Sequence, residues 1–64
     1  MSEVTQDLKK ELARRKRTAI EIASQIHDIV EDSLWVDFDK MPGLSEKLVA
    51  AVQDANRFKS ENGL

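Results

Sequence analysis

The sequence predicts an all-α protein, an antiparallel two-helix hairpin that assembles into a helical bundle or docks on a partner. Two periodic apolar stripes and one stop signal carry that expectation. Leu8, Leu12, Arg15, Ala19, Ile22, Ile26 and Ile29 recur at intervals of four and three, the spacing that lines residues along one side of a helix. Met41, Leu44, Leu48, Ala51, Ala55 and Phe58 repeat the pattern. Asn62-Gly63 then supplies a natural helix end.

The first helix is expected at about residues 5–31. No Gly or Pro interrupts the chain from Val4 to Phe38, and either Ser2 or Thr5 is of the right type to cap the start. Glu3 and Asp7 favour the positive end of the helix dipole. Arg15 is the polar member of the seam, expected to lay its stem along it. Ala23 and Val30 widen the stripe beyond two-stranded width. The second helix is expected at about residues 40–60. Pro42 fits only its first turn, where a missing N–H costs nothing, which makes Asp39 the candidate cap. The segment 32–39 carries no helical stripe and reads as a connector too short for anything but an antiparallel return.

Size and composition limit what such a chain can do. Sixty-four residues make a single domain spanning 1–64, with a net charge of −2 and no Cys. A chain this short has a marginal core and gains from a partner or a second copy. Ile20 and Val49 lie off the main seams and suit a homo-oligomer. Disulfides, thiolate metal sites and Cys nucleophiles are excluded. No apolar stretch approaches the ~20 residues needed to span a bilayer, and Met1-Ser2-Glu3-Val4 does not open a signal peptide. The expectation is a cytoplasmic protein with no membrane contact.

Charge is segregated along the chain. Lys9, Lys10, Arg14, Arg15, Lys16 and Arg17 stand together with Glu11 as the only acid among them. Asp28, Glu31, Asp32, Asp37 and Asp39 come next with no basic residue between them. On an antiparallel hairpin this gives an acidic closed tip and a basic region toward the open end.

Catalysis is not expected. The chain has one His, no Tyr and no Gly-rich loop, and two helices enclose no substrate and supply no oxyanion hole. No cofactor is expected either. His27 and Glu31, four residues apart, are the only candidates for metal binding. Two ligands are too few for a closed site, so a helical His–Glu contact is the plainer reading. The basic run offers Arg14, Lys16 and Arg17 to nucleic-acid phosphates, but its members point around the helix and no aromatic residue interleaves them. An RNA- or DNA-binding bundle is therefore the alternative function, with a small metal-binding protein using His27 behind it.

The connector holds the most informative group: Leu34, Trp35, Val36 and Phe38. Four bulky apolar residues there either plug the end of the bundle or face a partner. Trp anchors ringed by carboxylates are typical of recognition patches. The candidate partner-binding set is Asp28, Glu31, Asp32, Leu34, Trp35, Val36, Asp37 and Phe38.

The stretch Ile26-His27-Asp28-Ile29-Val30-Glu31-Asp32 resembles the "LHDLAED" signature of the Rop-like family, small helical-hairpin proteins encoded among nitrogen-fixation genes. The resemblance continues in Leu8-Lys9-Lys10-Glu11-Leu12, in Trp35, and in Met41-Pro42-Gly43-Leu44, and covers about residues 8–52. Ser33-Leu34 stands where the family has Leu-Pro, which marks a divergent member. The resemblance implies an accessory role in nitrogen fixation. The partner would be nitrogenase, its molybdenum–iron protein or the cofactor-assembly machinery. It also implies an association with metal, which would draw on His27.

Overall fold

The computed structural model describes residues 3–64. Helix α1 spans Glu3–Asp28, a π-helical turn Ile29–Ser33, a short α2 Leu34–Asp37, a 3-10 turn Phe38–Lys40, and α3 Met41–Glu61. The expectation of an antiparallel two-helix hairpin joined by a helix-free connector is corrected. Helical backbone continues without a break over 59 residues, about 95% of the described chain. The segment expected as a connector is itself helical throughout.

The run is not straight. An α-helix of that length would extend about 88 Å at ~1.5 Å per residue, whereas the molecule measures 50 × 17 × 9 Å. The chain bends back so that α1 lies along α3. Within the bend, Ser33 (φ −135°, ψ 26°) and Asp37 (φ −103°, ψ 9°) depart from helical dihedrals. A π turn widens the helix locally and re-aims the next segment. With no Gly or Pro in this stretch, the backbone keeps its hydrogen bonds through the reversal and needs no open loop.

The seam between α1 and α3 holds the residues that the periodicity assigns to it. Leu12, Ala19, Ile29 and Ala55 are buried. Leu8, Arg15, Ile22, Ile26, Met41, Leu44, Leu48, Ala51 and Phe58 are half-buried. Among the described residues no large side chain is fully buried, as expected of a molecule one helix layer thick. Ala23 joins the stripe, but Val30 is half exposed and does not.

The ends differ in part from expectation. Helix α1 is already formed at Glu3, so Thr5 lies inside the first turn rather than before it; Ser2 falls outside the described residues. Asp39 does not cap α3: it lies within the 3-10 turn, and Lys40 occupies the cap position without a side-chain bond. Pro42 does fall in the first turn of α3. The last turn closes as a Schellman motif. The Leu64 N–H donates to Lys59 O at 2.9 Å and the Gly63 N–H to Ser60 O at 3.3 Å. Gly63 has φ +65°, the left-handed geometry that a side chain disfavours. The Asn62 amide adds a bond to Phe58 O at 2.9 Å.

Candidate functional site: an exposed aromatic bend

The bend is built from residues 29–40. Ile29, 7% exposed, anchors the π turn to the seam, and Leu34 is half-buried. The other three apolar residues point away from the protein: Trp35 is 90% exposed, Val36 78% and Phe38 59%. The plug reading therefore describes Leu34 only. An indole left in water on a helical, hydrogen-bonded turn is an ordered apolar patch rather than a loop in search of cover.

The turn is braced from within by Asp37. Its carboxylate accepts hydrogen bonds from the Ser33 side chain and from Lys40, whose Nζ lies 3.2 Å away. These bonds hold the Asp37 carboxyl below the usual range, the Ser33 bond first. Asp37 thus has an occupation of its own at the base of the patch. Asp28, Glu31, Asp32 and Asp39 are exposed around it. His27 Nε2 and Glu31 Oε1 approach to 3.4 Å, both exposed. Among the described residues no group of three or more His, Asp or Glu is placed to hold a metal ion.

The basic segment is organised rather than free. Glu11 accepts bonds from Arg14 Nε at 3.0 Å, from Arg14 Nη2 at 2.6 Å and from Arg15 Nε at 3.0 Å. These bonds, Arg14's first, draw the Glu11 pKa down to about 2. Arg15 reaches across to Asp54 of α3 at 3.1 Å. Its guanidinium stacks 4.2 Å from the centre of the Phe58 ring, a cation–π contact that fixes α1 against α3. Of the phosphate-binding candidates, Arg14 is therefore tied to Glu11. Lys16 borders an apolar hollow between the helices. Arg17 remains exposed.

Among the described residues no helix is long and apolar enough to cross a membrane. An open trough of about 610 Å³ lies beside the bend. Asp28, Asp37, Asp39, Lys40 and Lys47 are among the residues that line it. It offers mixed charge and no enclosed chamber.

Fold and surface together define a small all-helical protein whose distinctive feature is an outward-facing aromatic bend. The chain belongs to the Rop-like family, whose model matches residues 3–61. No curated protein and no solved structure matches it. The match extends past residues 8–52, the span of the signature residues.

Proposed function

We propose that this chain is a non-enzymatic accessory protein of nitrogen fixation. It docks on nitrogenase, on its molybdenum–iron protein or on a cofactor-assembly intermediate, through the bend. The exposure of Trp35 carries the reading. With Val36 and Phe38 it gives an apolar anchor of the composition that dominates binding hot spots. Asp28, Glu31 and Asp32 ring it and steer a basic partner surface during approach. The helical turn beneath holds the anchor in place before contact, which lowers the entropy cost of binding. The nitrogenase assignment rests on the "LHDLAED"-like stretch Ile26–Asp32 and on its counterparts at Trp35 and Met41–Leu44.

Affinity capture from cells growing on dinitrogen tests the reading. Wild-type protein retains nitrogenase or assembly components, and the Trp35→Ala, Asp32→Lys double variant loses them. Equal retention by the variant refutes docking through the bend.

A further inference from the structure

Gly43 stands in unbroken helical backbone, in the first turn of α3, where glycine weakens a helix relative to Ala. Nothing inside this chain asks for it. Its φ is not positive, a geometry that among the glycines belongs to Gly63. A Cβ built on it meets no atom within 4 Å. Gly43 lines the trough of about 610 Å³ beside the bend. A glycine with open space before it lets another backbone or a ligand come close to the helix.

The rest of the lining describes the visitor. Ile29 and Leu44 supply apolar surface. Of the charged groups, Asp37 is already occupied by Ser33 and Lys40. The side chains of Gln25, Asp28, Asp39 and Lys47 make no hydrogen bond or ion pair among the described residues. The unpaired charge is thus two carboxylates against one ammonium, a net negative trough with a free amide.

We infer that the trough holds a short extended segment of a protein partner, with an Arg or Lys side chain set on Asp28 and Asp39. The inference deepens the docking reading and rests on it for the presence of a protein partner. Size favours this occupant. The volume falls in the range of ligand sites, about 300–1,000 Å³, but such sites enclose most of a small ligand, and this trough is open. An open trough suits a chain that runs on past both ends. From Asp39 to Lys47 the helical backbone advances about 12 Å at ~1.5 Å per residue, the reach of three or four extended residues at ~3.3 Å each. Charge favours it as well. A basic side chain lays its apolar stem on Ile29 and Leu44 while its head meets the carboxylates. The Gln25 amide offers a donor and an acceptor to a peptide backbone. Ser33, Asp37, Asp39 and Lys40 belong both to the trough and to the bend that carries Trp35, so the segment and the indole engage the same partner.

Nitrogen-15 NMR of the whole labelled chain gives the test. The probes are a capped Ala/Leu peptide with a central Arg and its counterpart with a central Glu. The Arg peptide should move the amide signals of Gly43, Gln25 and Lys47 saturably. The Glu peptide should bind at least about fivefold more weakly, and Asp28→Asn with Asp39→Asn should erase that preference. Gly43→Leu fills the trough and abolishes the response. Gly43→Ala keeps the fold and raises the melting temperature. A lower melting temperature or lost helicity in Gly43→Ala assigns the glycine to folding and overturns the proposal. So does a response indifferent to the central residue, or no response at all. An equal response to free arginine marks a small-molecule site and overturns it too. No nitrogenase enters this titration, so the two readings fail separately. Trp35-dependent capture of nitrogenase with a silent trough sinks this inference alone, and a responsive trough without such capture sinks the docking reading alone.

Discussion

Arg15 is the residue through which α1 most specifically recognises α3, and its replacement has a calculable cost. It is the polar member of an otherwise apolar seam, with 28% of its side chain exposed. Truncation in Arg15→Ala removes the bond to Glu11 within α1, worth about 0.3 kcal/mol, and three contacts with the seam and α3. The ion pair with Asp54, whose own side chain is 52% exposed, is screened by solvent and contributes about 0.5 kcal/mol. The cation–π contact with Phe58 contributes about 0.5–1 kcal/mol. The aliphatic stem covers part of the seam, and its loss adds a further few tenths. The expected destabilisation is about 1–2 kcal/mol, or roughly 4–16 °C in Tm for a domain of this size. Urea unfolding followed by circular dichroism measures it. Arg15→Leu separates the causes: it keeps an apolar seam residue and gives up the charge, so most of the stability returns. Asp54→Ala alone costs about 0.5 kcal/mol or less. An Arg15→Ala protein within about 0.3 kcal/mol of wild type, or a cycle with Asp54 showing no coupling, refutes the seam role.

Three further outcomes are expected. Ala55, 4% exposed, is the most buried of the described seam residues; Ala55→Asp therefore sets an unpaired carboxylate in the seam and costs about 1–3 kcal/mol, read from the same urea curves. The lowered pKa of Glu11, about 2 against an ordinary 4.5, means that folding favours its charged form. That contribution is complete above pH 4.5 and is lost as pH falls toward 2. Helicity of the wild type should decline across this window, and Glu11→Gln should flatten that part of the acid titration. Trp35, the sole Trp and 90% exposed, should emit as a solvated indole open to acrylamide quenching; blue-shifted, protected emission in the free chain would contradict its outward placement.

The seam was legible because burial at intervals of three and four leaves its mark in residue type. From Leu8 to Ile29 and from Met41 to Phe58 every seam position is at least half-buried. The helix end at Asn62-Gly63 was legible for a similar reason, since left-handed backbone selects Gly. The bend was not. Ile29–Lys40 lacks a stripe because residues on a projecting turn have no seam to face, and the missing stripe read as missing helix. The signal for helix was the lack of Gly and Pro, which leaves nothing in the chain to end a helix. Ser33 and Asp37, which leave helical dihedrals within the bend, show no turn dipeptide; their pairing is a local contact four residues apart that apolar periodicity does not report. The carboxylate ring was legible as charge, but not that Asp37 spends its carboxylate on Ser33 and Lys40. Nor did periodicity foretell that Glu11 holds both Arg14 and Arg15, which takes two cations away from any phosphate-binding surface.

Calorimetric titration of the molybdenum–iron protein with this chain, wild type against Trp35→Ala, tests the docking account most directly. The account predicts saturable binding by wild type and at least about a thirtyfold loss in the variant, the weight of one hot-spot aromatic at ~2 kcal/mol, with helicity unchanged. Equal affinity for the two proteins, or no binding by either to the molybdenum–iron protein and to assembly intermediates alike, contradicts it.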